Sequence, residues 1–421
     1  MCIPFAGSLG SFGSDFFLSL VSFSFLMFLL IKKKYKYFFN KYVLIFIIFW
    51  IVVVFNSFFS INPKVSLQSS FFLIRFLFFS LCIWYLCENC EKFLQKIYYS
   101  ISLLFVLLIF FGFFEIITGY NVLSINLDIF YKILDGKFLP TNERISIFFN
   151  DEKILGGFLL RWIILFCALF LYNFGYGNKK EFYKFIIIFL LTSILIFSSG
   201  ERSSVFLYFL FIGCAFLVIK IDFKKKIILV LSILLTFAFL VQITPELKRR
   251  LFEHVLEYGF RENNSWHFFS MQHEAHYKSA FKIFLNNPYF GSGVKTFRYE
   301  CKKPENSIKF NSVGGCATHP HNTYMQLLAE TGLFGFIFFA FFLFFSGIKI
   351  LKDSFFKKIE INLRTAYCKS FLNIHFFVFL WPLIPTGSLF HNWTLTGYIF
   401  PLGFLIYFIE QNFFYRAKNK S

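Results

Sequence analysis

Stretches of about 20 apolar residues recur along this chain, and nothing else in the sequence constrains its fold as strongly. A helix needs about 20 such residues to cross the hydrocarbon core of a bilayer. Eleven stretches qualify, near 14–31, 43–60, 69–87, 99–118, 154–173, 184–198, 203–219, 227–243, 323–348, 370–388 and 394–411. Of 421 residues, 57% are hydrophobic and only 15% are charged, against about 25% charged in an ordinary globular domain. No polar stretch is long enough to coat a soluble domain of this size. A soluble enzyme, a secreted disulfide scaffold and a disordered chain are excluded. The expected class is an all-α polytopic membrane protein with about 11–12 transmembrane helices.

The formal charge of +19 does not point to nucleic acid. The bases punctuate apolar stretches instead of collecting on a soluble module, which is how membrane proteins encode topology. Lys32, Lys33, Lys34, Lys36 and Lys41 fill one connection. Lys92 and Lys96, then Lys179, Lys180 and Lys184, then Lys220, Lys224, Lys225 and Lys226, and finally Lys349 to Lys369 fill alternate later ones. The positive-inside rule assigns this set and the C-terminus to the cytoplasm, and eleven spans then put the N-terminus outside. No basic region of a cleavable signal peptide is visible. Residues 1–12 read as a re-entrant stub or as the remainder of a further helix.

Two outer segments are long, 119–153 and 244–322, and long connections are usually functional. The second divides the chain into an N-terminal transmembrane bundle (1–243), a helical loop subdomain (244–322), and C-terminal transmembrane helices with a cytoplasmic tail (323–421). Within the loop, Thr244-Pro245-Glu246 looks like an N-cap with proline at the first helical position. A second helical pattern runs from about 270 to 285 and stops at Asn286-Asn287-Pro288. A glycine-rich turn, Phe290-Gly291-Ser292-Gly293, follows.

Arginine and histidine are distributed unevenly. Only Arg364 and Arg416 fall on the Lys-rich side. Arg144, Arg202, Arg249, Arg250, Arg261 and Arg298 fall on the other, and Arg75 and Arg161 lie within spans toward that side. Arginine binds phosphate oxygens through a planar fork that lysine lacks, and charges within spans mark function by default. Snorkelling or internal pairing is the structural alternative for each one taken singly. Seven of the 8 histidines lie on the outer side too, all but His375. His273-Glu274-Ala275-His276 and His319-Pro320-His321 could suggest metal. The first pair has i, i+3 spacing, not the usual zinc i, i+4, and neither has an obvious partner ligand. No metal is expected.

The sharpest motif opens the span at 323: His321-Asn322, then Gln326-Leu327, Glu330, Gly332 and Gly335. A histidine at the mouth of a helix suits a general base, because neutral imidazole accepts a hydroxyl proton near pH 7. A helix cap with polar neighbours is the structural alternative. This His-Asn-x-x-x-Gln-Leu-x-x-Glu-x-Gly-x-x-Gly pattern resembles the hallmark of the O-antigen ligase and polymerase superfamily. Other segments resemble that family in the same order: Arg144 to Glu152 with Gly156, Ser198-Ser199-Gly200-Glu201-Arg202, Asn287-Pro288 to Gly293, and Pro385 to Trp393. Glu201 stands where the family has a small residue, and Ser203 where glycine is common. Family members often have twelve spans.

The resemblance implies a GT-C-like, lipid-linked glycosyltransferase of the bacterial inner membrane with its site facing the periplasm. It implies a donor glycan on undecaprenyl diphosphate and no cofactor. The acceptor is the lipid A–core of an O-antigen ligase, or another lipid-linked repeat for a polymerase, or a protein hydroxyl for an O-oligosaccharyltransferase. Membrane lipids are the other partners. It implies His321 as the base, Arg202, Arg261 and Arg75 at the diphosphate, and Arg161, His319 and His276 behind them. A transporter or flippase is the reading from another class; inverted repeats and broken central helices are not evident. Of 9 cysteines, Cys301 and Cys316 share the oxidising outer segment, so a disulfide between them is expected.

Overall fold

The computed structural model describes residues 3–8, 10–125, 127–134, 136, 144–149, 154–175, 177–259, 268–310, 313–355 and 363–418. Helices in chain order are α1 (Ile3–Ser8), α2 (Ser11–Ile31), α3 (Lys41–Phe58), α4 (Pro63–Phe71), α5 (Ile74–Asn89), α6 (Phe93–Thr118), α7 (Leu127–Leu134), α8 (Leu155–Asn173), α9 (Lys179–Ser198), α10 (Arg202–Val218), α11 (Phe223–Ile243), α12 (Pro245–Lys248), α13 (His254–Gly259), α14 (Met271–Asn286), α15 (Phe297–Glu300), α16 (Thr323–Phe355), α17 (Leu363–Phe379) and α18 (Asn392–Lys418). One antiparallel ribbon of two-residue strands, β1 (Lys309–Phe310) and β2 (Val313–Gly314), is the sole sheet among the described residues.

Nine helices among the described residues are long and apolar enough to cross a membrane. The chain is a polytopic membrane protein, and burial explains why no soluble packing would serve. In α11 only Ile233 is buried, while Ile228, Leu235 and Phe239 lie exposed on an apolar helix. Such a surface is stable against lipid and not against water.

Two of the eleven expected spans differ. The one at 203–219 is the 17-residue α10, and the one at 370–388 is displaced: α17 ends at Phe379 and an irregular turn runs to His391. Pro382 and Pro385 explain the shift, since proline lacks the helical N–H donor and excludes its predecessor from helix. The stub at 1–12 divides between the six-residue α1 and the start of α2. Thr244 does sit at an N-cap with Pro245 behind it, but its side chain makes no capping hydrogen bond.

The chain groups into two compact units. The first takes 1–14, 90–256 and 347–379; the second takes 15–89, 257–346 and 380–421. The first is built around α8, nearly all of whose side chains are buried and which packs against α17, α6, α9 and α10. The second is built on the α5–α18 pair. There Gly403 lies against Ile83 and the Ser80 carbonyl, where a Cβ would collide, and Ser80 Oγ donates to the Ile399 carbonyl at 3.2 Å. Small residues at the crossing let the two backbones approach.

A break in α16 shapes the second unit. Gly332 has φ +62° and ψ −160° inside an otherwise continuous helix. The break would orphan backbone groups inside an apolar helix, which is tolerable only if protein satisfies them. The loop 288–293 does so. Leu333 and Phe334 donate N–H to the Pro288 and Tyr289 carbonyls at 2.8 and 3.1 Å, and Ser292 and Gly293 donate to the Ala329 and Glu330 carbonyls at 2.9 and 3.0 Å.

Candidate functional site

The start of α16 is locked on three sides. Asn322 Oδ1 accepts from the Tyr324 and Met325 N–H groups at 3.0 and 3.1 Å, a side-chain N-cap. Its Nδ2 donates to the Pro382 and Ile384 carbonyls at 2.7 and 3.1 Å. One turn on, Gln326 Nε2 donates to Ser388 Oγ at 2.9 Å and Glu330 Oε2 at 3.0 Å, while its Oε1 accepts from the Leu389 N–H at 2.8 Å. The Glu330 Oε1 accepts from the Phe297 N–H at 3.1 Å. The polar residues of the motif are therefore fasteners between α16, the turn before α18 and the loop before α15.

His321 is the member left over. Its φ is +55°, a left-handed conformation that is costly for a residue with a Cβ and concentrates at functional sites. The Thr386 N–H holds it by donating to the His321 carbonyl at 2.8 Å. Among the described residues, no hydrogen bond occupies the His321 ring nitrogens. Three imidazoles surround that ring, with centroids at 4.1 Å for His319, 5.4 Å for His276 and 6.0 Å for His273. Burial, then the neighbouring His276, holds His321 below the ordinary histidine pKa. Burial, then His321, pushes His319 down to about 4. Both rings are neutral at pH 7, the form that accepts a proton.

His276 lies on α14 at 1% exposure, and among the described residues neither of its ring nitrogens has a hydrogen-bond partner. His273 is held by Ser270, whose Oγ lies 2.8 Å from His273 Nδ1. Cys301 and Cys316 form a disulfide with a Cα–Cα distance of 5.1 Å. It ties the α15 end to the segment leading into His319, and buried Cys301 packs with Ala280, Ile283, Phe297 and Ala329. Among the described residues, no group of three or more His, Cys, Asp or Glu side chains is placed to hold a metal ion.

The cations of this unit differ in their compensation. Arg75 is paired with Asp15, Nη2 to Oδ1 at 2.7 Å, and donates to Ser19 Oγ at 2.9 Å. Lys295 and Arg298 have no ion pair among the described residues. Burial, then Arg298, holds the Lys295 ammonium below its ordinary pKa.

Arg202 belongs to the other unit, where it begins α10 with its side chain exposed. Around that turn the chain is ordered by Glu201. Its Oε1 accepts from the Gly156 N–H at 2.6 Å, and its Oε2 accepts from the Gly157 N–H at 3.1 Å and Ser204 Oγ at 2.8 Å. A carboxylate thus caps the first turn of α8. Arg144 Nη2 lies 3.8 Å from Glu201 Oε1, and Arg144 Nε donates to the Ser199 carbonyl at 2.8 Å. Arg250 and Arg202 both lie close enough to Arg144 to act against its charge. Arg161 Nη1 donates to its own helix at the Gly157 carbonyl, 3.0 Å away, and its guanidinium stacks on Phe379 at 4.9 Å.

The structure thus brings His276, His319 and His321 together in one unit with Arg75, and sets Arg202 and Arg161 in the other. Arg261 lies outside the described residues. Sequence reading gives Lys295 no role, since a lone lysine after a glycine turn carries no signal; the structure sets it within electrostatic reach of Arg298.

Residues 187–340 match the family model for O-antigen ligase. No curated protein matches the chain. The matched span takes in Arg202, the 288–293 loop, His321 and the Gly332 break, and it supports the O-antigen ligase and polymerase superfamily and a glycosyltransferase of that type.

Proposed function

We propose that this chain transfers a glycan from undecaprenyl diphosphate to an acceptor hydroxyl at the periplasmic face of a bacterial inner membrane, as an O-antigen ligase whose acceptor is lipid A–core. The observation that carries this reading is His321: a desolvated, neutral imidazole held by its backbone in the left-handed region while every polar neighbour in its motif is engaged elsewhere.

His321 takes the proton of the acceptor hydroxyl as that oxygen bonds to the anomeric carbon. The bond from that carbon to the phosphate oxygen breaks, and the lipid diphosphate departs with the electron pair. Arg202, with Arg261 and Arg75, gathers the negative charge that develops on it. Arg75 comes to this role already paired with Asp15. His319 and His276 keep the base desolvated, and Arg161 supports α8. No cofactor takes part in this scheme. The fold is expected to be GT-C-like.

The test is transfer by the purified full chain from an undecaprenyl-diphosphate-linked glycan, with lipid A–core offered in one reaction and a second lipid-linked repeat in another. Glycosylated lipid A–core supports the ligase. Lengthened lipid-linked chains instead would assign a polymerase, and label on neither, with transfer to a protein, an O-oligosaccharyltransferase. Uptake of intact lipid-linked glycan across vesicles with no transfer would favour a flippase.

A further inference from the structure

Among the described residues, Lys295 and Arg298 are two cations with no ion pair. Both follow the Gly291-Ser292-Gly293 turn, and both are half-buried. Lys295 has φ +59°, a left-handed conformation that is costly for a residue with a Cβ. Four charged groups act on it: Arg298 and Arg75 positive, Glu330 and Asp15 negative. Arg75 and Asp15 already satisfy each other at 2.7 Å. Glu330 is fully buried, with its carboxylate oxygens taken up by the Phe297 N–H and Gln326 Nε2. One carboxylate therefore faces two cations without an ion pair to either. Buried charge left uncompensated is expensive.

Polar atoms nearby share the deficit. Among the described residues, the buried Nε of Arg298 has no hydrogen-bond partner, and neither has either ring nitrogen of His276. Arg298 and His276 both act electrostatically on His319, which makes the set contiguous with the ring beside His321. Arg298 Nε and at least one N–H of the His276 ring are buried donors with no acceptor among the described residues, and with the Lys295 ammonium they describe a place for an oxyanion.

We propose that Lys295 and Arg298, with His319 beside them, form a subsite for a phosphate group carried by one of the two substrates. This rests on the transferase reading for the identity of the ligand, and not for the existence of the site. A forked guanidinium beside a point charge suits two oxygens of one phosphoryl group. The group is a phosphate of the lipid-linked donor or one on the acceptor glycan.

Binding to the detergent-solubilised full chain tests it, with farnesyl diphosphate as probe and farnesol as control. Wild-type protein should bind the diphosphate at least about tenfold more tightly than the alcohol. Lys295→Met and Arg298→Gln should each weaken diphosphate binding by about 10- to 100-fold and leave farnesol binding and the Cys301–Cys316 disulfide unchanged. Equal affinity of wild type for diphosphate and farnesol, or diphosphate affinity within twofold of wild type in both variants, would overturn the subsite. Should either variant fail to fold, acetylation of Lys295 in wild-type protein gives the answer: inorganic diphosphate should slow it at least about fivefold, and no protection would overturn the proposal. In the transfer assay, a raised donor KM with acceptor KM unchanged assigns the donor phosphate, and the reverse assigns the acceptor. Diphosphate binding lost in the variants of a protein that transfers nothing would sink the transferase reading and keep the subsite. Transfer with unaltered binding in the variants would do the opposite.

Discussion

Gly291 and Gly332 meet backbone to backbone: a Cβ on Gly332 would strike the Tyr289 carbonyl, and a Cβ on Gly291 would strike the chain between Glu330 and Gly332. Both have positive φ, +73° and +62°. Two glycine-bearing motifs that lie apart in the sequence are thus halves of one joint, which inserts a loop into the break of a membrane helix. The joint sets where α16 starts relative to the loop that carries Lys295 and Arg298.

Gly332→Ala should therefore destabilise the protein by about 1–3 kcal/mol, from strained φ and the steric conflict together. Gly291→Ala should cost a similar amount. Since both act on one contact, the double variant should cost clearly less than the sum. Thermal unfolding in detergent measures all three, and full additivity would deny that the two glycines share a joint.

Much of this architecture was legible in the chain. Apolar runs mark the helices because lipid demands length and apolarity at once, and the disulfide follows from where Cys301 and Cys316 fall. His321 stands out because it opens a span with Asn322, Gln326 and Glu330 following at helical spacing. The end of α17 was less legible, since Phe376 to Leu380 continue the apolar pattern while Pro382 and Pro385 decide the backbone. The Gly332 break is hidden for a related reason: Glu330 to Phe336 reads as helix, and only the distant 288–293 loop makes a break affordable. Glu201 looked like a departure from the family pattern. Its reason lies 45 residues earlier in sequence, in the Gly156 N–H it accepts.

Glu201→Ala should destabilise by about 1–3 kcal/mol, because the Gly156 and Gly157 N–H groups and Ser204 Oγ lose their acceptor in a buried setting. Glu201→Gln keeps one acceptor oxygen and should fall between. Thermal unfolding checks the order. An alanine variant as stable as wild type would mean that the α8 N-terminus finds other partners.

The disulfide supports a second order of stability. Bridging a loop of this separation, 15 residues, contributes about 3 kcal/mol in the chain-entropy picture. Cys301→Ser and Cys316→Ser should each lower the unfolding temperature, and the double variant should be no worse than the singles. Mass spectrometry of protein from its native membrane should find both thiols oxidised.

Activity should respond to pH in a definite direction. The pKa of His321 is depressed, and that of His319 is pushed down to about 4. A depressed base stays unprotonated further into acid, so the acid limb of kcat/KM should have its apparent pKa below 6.5, the ordinary histidine value. Stability carries the same sign. The unfolded chain binds the protons that the native rings refuse, so stability is fully present above pH 6.5 and is lost as pH falls from there toward about 4. An acid limb above pH 7 would take the base role away from His321.

Catalysis itself separates the cationic role from the base. His321→Ala should reduce transfer by about 10²- to 10⁴-fold, the usual contribution of a general base, while expression and membrane insertion are kept. The fold should survive because the fastenings of α16 are made by Asn322, Gln326 and Glu330, and the His321 contact to Thr386 is through its backbone. Arg202→Lys should also be severely impaired although its charge is kept, since an exposed ammonium cannot hold two phosphate oxygens as a guanidinium does. Chelators should leave activity unchanged if arginine gathers the leaving charge. The readout is loss of glycosylated acceptor with accumulation of lipid-linked glycan in a strain lacking its own transferase. Full activity in His321→Ala would shift the base to His319, whose ring lies 4.1 Å away. Full activity in Arg202→Lys would mean that charge alone suffices there. Activity lost to EDTA and restored by one divalent ion would replace the arginine scheme with a metal and point to the neighbouring histidines as its ligands.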